Sequence, residues 1–553
     1  MFNTDPSTRR RRVAGLIAAA ALTGLLIPTT AEARPNRNTC ERRNNNQYDK
    51  LLECVTVAGV REHQAAFQAI ADANGGTRVD QSPGYAASVD YVAETMAAAG
   101  WDVRVVPFTY EEGVAELEQL TPVRASYTTD GFTGTAFADV TANVVPVDIN
   151  LTPPRANTSG CDGAYAETAV GAPLVADPGG PNDFATFPAG AIALIQRGGC
   201  SFALKAWNAV AAGASAVVIF NQGNTPDREG PLVDVTAAAP SGSAVPGPLT
   251  VPVVGASFAA GSALAQPGST ARISVRLEER TSENVIAEKE GQTDDNVVMA
   301  GAHLDSVLAG PGINDNGSGS AALLEIGQNL GNHRPRNTLR FAWWGREEAG
   351  LVGSTAWVAQ QSDAGTLDEI ALYLNFDMIG SPNYYIGVYD ADESSYDAPL
   401  APGGTEDIIP DGSAAIEDVF ESFYTLIDEP YDDTEFSGRS DYQAFINNGI
   451  PSSGLFTGAE VLKTAEQAAV WGGTVGAQFD PCYHAACDTF ANVAEHALDV
   501  NSDAIAFAVL TFAYSTESVN GVPGRPVPGR VALPTPAGPA GTCPGQPTTT
   551  CKL

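Results

Sequence analysis

The first regular pattern of apolar positions in the chain predicts helices. Apolar residues recur three and four positions apart in residues 60–73 and again in residues 85–100, a spacing that places them on one face of a helix. Residues 101–110 are rich in valine and aromatic residues and predict a strand. Residues 41–125 are therefore expected to be mainly helical, with one strand near their end.

The pattern changes between residues 130 and 275, where short runs of Val, Ala and Ile are broken by Gly and Pro. Residues 190–198 and 214–222 predict buried strands, and residues 202–214 predict a helix between them. We interpret this region as an inserted, mainly-β domain.

From residue 284 onward, strand patterns alternate with helical stretches such as residues 319–330. Such alternation is typical of an α/β fold, here a mixed, mostly parallel central sheet flanked by helices. Loops of such sheets gather at one edge. The predicted strands lie within residues 284–291, 296–306, 339–345 and 370–380.

Both ends of the chain differ in composition from the rest. Residues 1–33 have a basic start, a short apolar run and a small-residue ending, which is the pattern of a secretory signal peptide. The Pro- and Gly-rich residues 517–553 predict an extended tail. The catalytic domain is then expected in residues 34–129 and 276–516, on either side of the insertion at 130–275.

Export is the localisation that this start predicts, either extracellular or periplasmic. The run Arg9–Arg12 leaves both the general secretory and the twin-arginine routes open. No later stretch approaches 18 continuous apolar residues, so we expect no membrane anchor. We also expect a monomer.

The chain is strongly acidic, with a formal net charge of −35. Residues 1–33 carry four Arg against two acidic residues, so the exported chain is more acidic still. This balance excludes nucleic acid as an expected partner. Near an active site it would favour substrates with a positive amine.

The chain contains eight cysteines. Export to an oxidising compartment favours disulfides, and no C-x-x-C spacing suggests metal-binding thiols. Eight cysteines allow 105 connectivities, of which we favour pairing between neighbours. The expected pairs are Cys40 with Cys54, Cys161 with Cys200, Cys482 with Cys487, and Cys543 with Cys551.

A few ionisable residues occupy positions where chemistry is expected. His303 and Asp377 each close a predicted strand, and Asp315 lies in a glycine-rich loop that opens a helix. Each has an ordinary alternative as a packed histidine, a paired carboxylate or a helix cap. The adjacent Glu347 and Glu348 could likewise be the acidic start of a helix.

The other histidines lie in less informative settings. His484 lies between Cys482 and Cys487, whose bridge would fix its loop. His63 and His333 have polar, surface-like neighbours and His496 lies in a helical stretch, so we assign these three no role.

Five ordered motifs resemble the M28 family of zinc aminopeptidases, closest to its secreted bacterial members. Residues 193–221 resemble a protease-associated (PA) domain. The resemblance implies the zinc-peptidase/phosphorylase-like fold, with the PA domain as a lid or a substrate filter. The motifs are "GAHLDS", "GINDNGSG", "WWGREEAGLVGS", "LNFDMIG" and "CYHAACDT".

The resemblance further implies two zinc ions and a set of site residues. His303 and Asp377 would hold one ion, and Glu348 and His484 the other. Asp315 would bridge both ions. The remaining roles would fall to Glu347 as general base, Tyr483 as oxyanion stabiliser, Asp305 as the orienting partner of His303, Arg439 near the substrate and Phe456 in the pocket for the first side chain.

Two further expectations follow from the resemblance. The peptide bond between Asp315 and Asn316 is expected to be cis. Asp499 and Asp503, one helical turn apart, could join a calcium site, or they could form a polar helix start.

The function that the resemblance implies is a secreted di-zinc aminopeptidase that removes N-terminal residues, with a hydrophobic preference such as leucine, from peptides or proteins. A carboxypeptidase acting on acidic tails is an alternative, although it would want several arginines and this chain offers chiefly Arg439. Glutaminyl cyclase is a second alternative. A catalytically inactive PA-containing binding protein is an alternative of another class.

Overall fold

A computed structural model describes residues 37–156, 159–233, 235–399, 408–529 and 531–545. Residues 1–33, predicted as a signal peptide, lie outside the described residues. The strands are β1 Asp102–Thr121, β2 Ala125–Tyr127, β3 Ala138–Pro146, β4 Tyr165–Ala166, β5 Val175–Ala176, β6 Ile192–Gln196, β7 Ala216–Phe220, β8 Val253–Ala256, β9 Thr270–Lys289, β10 Thr293–His303, β11 Asn337–Trp344, β12 Ile370–Phe376, β13 Gly387–Tyr389, β14 Asp432–Thr434 and β15 Ser452–Phe456.

Helices alternate with these strands over much of the chain. Short 3₁₀ turns at Pro226–Arg228 and Leu367–Glu369 complete the regular structure of the described residues. The α-helices are α1 Arg37–Arg42, α2 Tyr48–Leu52, α3 Val57–Ala73, α4 Pro83–Ala98, α5 Phe202–Ala211, α6 Phe258–Leu264, α7 Gly317–Asn329, α8 Val352–Ala364, α9 Ser413–Ile427, α10 Tyr442–Ile446, α11 Ala465–Trp471, α12 Glu495–Tyr514 and α13 Glu517–Asn520.

The catalytic half of the main sheet has the strand order β14-β13-β15-β12-β10-β11-β9. Strand β10 runs parallel to both β11 and β12, so the carboxyl ends of these three strands meet at one edge. Their side chains alternate between two cores: Val298 and Ala300 face the core shared with α3, α7 and α12, whereas Met299 faces the core shared with α8 and α10. The predicted α/β class, a mostly parallel sheet flanked by helices, is confirmed.

The inserted region continues the same sheet with the order β9-β3-β6-β7-β8. Strands β3, β6, β7 and β8 are parallel neighbours. Alternate residues of β7 again face two cores, Val217 with Trp207 of α5 on one side and Val218 with Leu264 of α6 on the other. A layer of strands between two helices therefore forms the body of this region.

A ribbon of two long antiparallel strands joins the two halves. Strand β9 pairs with β3 near its start and with β11 near its end, and β1 accompanies it from Thr270 to Glu288. The strand predicted at residues 101–110 therefore extends to Thr121. The domain boundary predicted at 275/276 falls inside β9, because one strand serves both halves of the sheet.

Two of the unassigned histidines lie in different surroundings from those predicted. His63 and His333 are each only 2% exposed, so the surface-like setting predicted for both is wrong. The Nδ1 atom of His63 lies 2.7 Å from the hydroxyl of Tyr91, and burial followed by the charge of Lys289 lowers the pKa of His333 to about 4. The polar neighbours in sequence misled the prediction because helix packing, which brings Tyr91 to His63, is not visible locally.

Three disulfides join Cys40 to Cys54, Cys161 to Cys200 and Cys482 to Cys487, as predicted. Cys543 is buried, and its predicted partner Cys551 lies outside the described residues.

The Pro- and Gly-rich tail begins with the short helix α13 and then runs over the surface. The amide of Ala540 donates to the carbonyl of Tyr431 at 2.8 Å, and the amide of Thr542 donates to Asp432 Oδ2 at 2.8 Å. The hydroxyl of Tyr396 donates to the carbonyl of Pro544, also at 2.8 Å. Beyond α13, the described tail residues form no helix or strand, and these hydrogen bonds hold them against the catalytic half.

Among the described helices, α12 alone is long and apolar enough to cross a membrane. Most of its apolar window, 72%, is buried inside the fold. This burial is typical of the core helix of a globular domain.

We predict that Phe341→Ala lowers the free energy of unfolding by about 3–5 kcal/mol. Phe341 lies in β11, is fully buried, and contacts the rings of Trp101 and Trp343, so its removal leaves a cavity between sheet and helices. Urea unfolding followed by tryptophan fluorescence measures the change. Phe137→Ala, at a position 54% exposed, is the matched control and should change stability by less than about 0.5 kcal/mol.

Candidate metal centre

His303 is the last residue of β10, and its imidazole is 99% buried. Its Nε2 atom lies 3.2 Å from Asp315 Oδ1, 3.4 Å from Asp377 Oδ1 and 3.8 Å from Glu347 Oε2. Three carboxylates from three different loops therefore converge on one ring nitrogen. The edge where parallel strands end brings them together.

Asp315 lies in the loop before α7, and its peptide bond to Asn316 is cis, as expected. Its two carboxylate oxygens point to different histidines: Oδ1 lies 3.2 Å from Nε2 of His303, and Oδ2 lies 3.4 Å from Nε2 of His484. Asn316 then caps α7 by accepting a hydrogen bond from the amide of Gly319. One carboxylate thus lies between both imidazoles.

Glu347 and Glu348 follow β11 and precede α8, which begins only at Val352. The helix-start alternative for this pair is therefore wrong. The two side chains diverge, because Glu347 Oε2 lies near His303 whereas Glu348 Oε2 lies 2.9 Å from Nε2 of His484.

Asp305 holds this turn and His303 in place. Its Oδ1 accepts from the amide of Glu347 at 3.1 Å and its Oδ2 accepts from the amide of Glu348 at 3.4 Å. The Nδ1 atom of His303 lies 3.1 Å from the backbone oxygen of Asp305 and 3.7 Å from its Oδ1. Asp305 thus contacts the three residues whose orientation the site depends on.

Two buried oxygens in this cluster have no hydrogen-bond partner within the described part of the chain. Asp377 Oδ2 accepts from the hydroxyl of Ser440 at 2.6 Å, but Asp377 Oδ1 accepts no hydrogen bond, and neither does Glu348 Oε1. Buried carboxylate oxygens require a donor or a cation. Ligand atoms of His303, Glu347 and Asp377, and likewise of His303, Asp315 and Glu348, all lie within 4.8 Å of one another. Imidazole and carboxylate donors at these spacings suit zinc.

Burial and mutual repulsion set the ionisation of the cluster. Burial raises the pKa of Glu347 well above its usual range despite the nearby His303. Burial and then the charge of Asp315 raise the pKa of Glu348 to about 8. Although burial favours neutral imidazole, the hydrogen bonds of Asp315 and Glu348 raise the pKa of His484 to about 10. Bound cations would favour the ionised forms of Glu347 and Glu348.

Two aspartates that support the Asp315 loop were not among the predicted site residues. The carboxylate of Asp488 accepts from the amides of Asn314 and Asp315 at 2.9 and 3.0 Å. Asp480 accepts from the side chain of Asn314 at 2.7 Å and from the amide of Cys482 at 2.8 Å. Asp488 directly follows Cys487 in a motif already singled out, and this position was the available signal.

A fully buried arginine was also missed. Arg78 donates to the carbonyl oxygens of Pro311 and Gly312 at 2.8 and 2.7 Å, and it also donates to the carbonyl of Leu304. Its guanidinium therefore fixes the backbone of the loop between His303 and Asp315. The sequence around Arg78 carries no motif that would have pointed to it.

The Cys482–Cys487 disulfide encloses Tyr483 and His484, whose rings stack with centroids 3.9 Å apart. Arg439 donates to the hydroxyl of Tyr483 at 3.0 Å and pairs with Glu460 Oε1 at 2.7 Å. Tyr483 and Arg439 therefore lie together beside His484, and both line the cavity beside the cluster.

The cluster opens into a cavity of about 210 Å³. One wall holds the carboxylates and histidines, and another is apolar and includes Phe456. The tail residues Pro544 and Gly545 also line this cavity. The apolar lining comprises Met378, Tyr385, Tyr389, Phe456, Val461 and Phe479.

Asp499 and Asp503 lie away from the start of α12, which begins at Glu495, so the polar helix-start alternative for this pair is wrong. Asp499 Oδ1 accepts from the amide of Val57, the first residue of α3. The carboxylate thereby satisfies a free amide at another helix's N-terminus. Calcium at this pair remains a prediction.

Comparisons with known proteins agree with this geometry. The profile of Peptidase family M28 matches residues 284–509, and the profile of the PA domain matches residues 140–264. An aminopeptidase of Pseudomonas aeruginosa is 45% identical over 481 residues, which cover 85% of this chain and 83% of that protein. The probable lipoprotein aminopeptidase LpqL of Mycobacterium tuberculosis is 40% identical over 478 residues, which cover 86% of this chain and 88% of that protein.

Solved structures show the same fold. BSAP, a zinc aminopeptidase from Bacillus subtilis, superposes with a TM-score of 0.55 at 22% identity, covering 82% of this chain and 94% of that chain. The aminopeptidase from Aneurinibacillus sp. strain AM-1 superposes with a TM-score of 0.51 at 24% identity. The match covers 89% of this chain and 99% of that chain.

Fold, cluster and relatives define the class of this protein as a metallo-aminopeptidase, a hydrolase of peptide bonds. The chain belongs to peptidase family M28 and carries a PA domain.

We predict that Cys482→Ser with Cys487→Ser weakens metal retention and turnover more than it lowers the melting temperature. The bridge closes a loop with a sequence separation of only 5, so it restricts the unfolded chain little, yet it holds His484 and Tyr483. Metal content after dialysis, turnover and thermal unfolding are measured side by side.

The matched control is Cys40→Ser with Cys54→Ser, which opens a loop with a separation of 14. We expect this control to lower the melting temperature more than the first pair does, and to leave metal retention unchanged. A large loss of stability with normal metal content and turnover in the 482/487 variant would contradict the role of the bridge.

Proposed function

We propose that this chain is a secreted di-zinc aminopeptidase that removes hydrophobic N-terminal residues from peptides and proteins. The observation that carries the proposal is the pair of histidines on either side of Asp315, together with one buried oxygen each of Asp377 and Glu348 that accepts no hydrogen bond within the described residues.

His303 and Asp377 would hold one zinc ion, and Glu348 and His484 the other. Asp315, with one oxygen toward each histidine, would contact both. Zinc bound here would supply positive charge that polarises the scissile carbonyl and makes water acidic near neutral pH. Asp305 would keep His303 in the tautomer that presents Nε2 to the site.

Glu347 is the proposed general base. Its carboxylate lies in the cavity wall beside the cluster, and its Oε2 is 3.8 Å from Nε2 of His303, a position from which a carboxylate can accept a proton from water bound at the centre. As water attacks the scissile carbonyl carbon, Glu347 accepts the water's proton. It then donates that proton to the leaving nitrogen as the C–N bond breaks.

The Tyr483 hydroxyl is proposed to donate a hydrogen bond to the developing oxyanion. Burial, reinforced by the charge of Asp315, raises the pKa of Tyr483 above its usual range, so the phenol keeps its proton for donation. The hydrogen bond from Arg439 fixes the direction of this hydroxyl.

The cavity supports a substrate with a free amine and an apolar first side chain. Its carboxylates would attract the positive amine, and the wall that includes Phe456 and Phe479 would receive the side chain. These features support the hydrophobic preference.

The carboxypeptidase alternative lacks support from the cavity. Arg439 is the only Arg or Lys among its described lining residues, and Glu460 already pairs with it. A substrate carboxylate would therefore meet little free positive charge. No observation in the described structure favours glutaminyl cyclase, and the assembled cluster does not favour an inactive binding protein.

Secretion is supported by the signal-like residues 1–33 and by three disulfides, since such bridges persist in oxidising compartments.

We expect the purified enzyme to hydrolyse leucine p-nitroanilide and not its N-acetylated form, because acetylation removes the positive amine. The zinc-loaded protein should contain two equivalents of zinc by elemental analysis. Chelation should abolish turnover, and zinc should restore it. Turnover of the blocked substrate without the unblocked one would exclude an aminopeptidase, and a single equivalent in a saturated sample would exclude the di-zinc centre.

We also predict that substitutions of the two neighbouring glutamates impair different properties, turnover in one case and zinc binding in the other. Glu347→Gln cannot accept the proton, so turnover should fall by a factor of about 10²–10⁴ while both zinc ions stay bound and KM changes little. Glu348→Gln should bind one zinc weakly, and excess zinc should restore part of its activity. Zinc content and kcat/KM at several zinc concentrations separate the two.

Glu94→Gln on the exposed face of α4 makes the same chemical change away from the site and should match wild type. Near-normal turnover of Glu347→Gln would show that another group is the base. Loss of metal from Glu347→Gln but not from Glu348→Gln would reverse the two assignments.

A further inference from the structure

A second group of carboxylates lies outside the metal centre and has no part in the proposed reaction. Asp390 and Asp392 follow β13, Glu417 and Glu421 lie one turn apart on α9, and Asp433 lies in β14. All but Asp392 are buried, with exposures between 0% and 8%. Asp392 is exposed and lies where the group meets solvent.

The spacing of this group fits one cation. One carboxylate oxygen from each of Glu417, Glu421 and Asp433 lies within 4.8 Å of the others, and the same holds for Asp390, Asp392 and Glu417. Two oxygens on opposite sides of a calcium ion are about 4.8 Å apart, twice a typical Ca–O distance. Glu417 belongs to both sets and therefore lies at the middle of the group.

Asp433 supplies an independent sign of a missing partner. Its Oδ2 accepts from the hydroxyls of Ser394 and Ser395. Its Oδ1 is buried and has no hydrogen-bond partner, and the residue is 0% exposed. A fully buried carboxylate oxygen next to two further carboxylates needs a cation or a proton.

No basic side chain that the structure describes neutralises the group. Within the described residues, none of these five carboxylates forms an ion pair with Lys, Arg or His. Burial and then neighbouring carboxylates raise the pKa of Glu417 to about 10 and that of Glu421 to about 8. Holding these side chains ionised in one place therefore requires added positive charge.

We propose that Glu417, Glu421 and Asp433 bind a calcium ion, with Asp390 and Asp392 beside Glu417 on the solvent side. Every donor is an oxygen, and the absence of His and Cys from the described group favours a hard cation over zinc. Donors come from a helix, a strand and a loop, an arrangement that suits the variable coordination of calcium better than the strict octahedron of magnesium.

The ion would link the active-site wall to the tail. Asp433 is followed by Thr434 and Glu435, which line the active-site cavity. Asp432, on its other side, accepts from the amides of Gly541 and Thr542. Binding here would therefore stabilise β14 between the cavity and the docked tail.

The test uses full-length protein with saturating zinc, so that the catalytic centre does not take up calcium. Calcium chloride is titrated up to about 10 mM, a range that covers weak extracellular sites, with equilibrium dialysis for stoichiometry and thermal unfolding for stability. We expect one calcium equivalent per chain that Asp433→Asn loses, whether or not calcium also binds at Asp499 and Asp503, and a rise in melting temperature that magnesium chloride reproduces poorly. Asp433→Asn should weaken calcium binding by at least about tenfold.

The matched control is Asp418→Asn, the same chemical change at an exposed position next to Glu417 on α9, which should keep wild-type affinity. Without calcium, Asp433→Asn should melt no lower than wild type, because it removes one of several like charges. If it fails to fold, Glu421→Gln makes the same test. Absence of calcium binding by wild type, or unchanged affinity in the folded variants, would overturn the site. Equal stabilisation by magnesium would overturn its assignment to calcium.

Discussion

Buried negative charge is the constraint on which the active site depends. Parallel strands β10, β11 and β12 end at one edge, and each delivers an ionisable side chain there: His303, Glu347 with Glu348, and Asp377. Water cannot screen these carboxylates inside the fold. Hydrogen-bond donors and imidazole rings therefore surround them. The result is a cluster of carboxylates and imidazoles whose charge bound cations would balance.

Much of this arrangement could be predicted from sequence because the ionisable residues occur where apolar strand patterns end. His303 and Asp377 each end an apolar strand pattern, and polar residues there are conspicuous against their neighbours. The adjacent glutamates could also be recognised as unusual, although only the structure shows that α8 begins too late for them to be its start. The overall class of the sheet followed from alternating strand and helix patterns for the same local reasons.

The rest depends on contacts between residues distant in sequence, which no local pattern reveals. Arg78 donates hydrogen bonds to three backbone carbonyls of the loop after β10. Every residue has a backbone carbonyl, so the sequence of the loop does not indicate this contact. Asp488 likewise supports Asp315 through amides. Asp433 belongs to a group collected from a helix, a strand and a loop, and their proximity is visible only in the folded chain.

The shared strand β9 also bears on how such a protein could be assembled from parts. Because β1 and β9 pair residue by residue, the two points where the chain enters and leaves the PA region are direct neighbours, as Glu112 is to Glu278. Neighbouring strands lie only about 4.7–4.9 Å apart, a gap that a two-residue hairpin turn closes. The PA region is thus inserted between two paired strands, β1 and β9. Its loss or exchange would leave the chain path of the catalytic half uninterrupted.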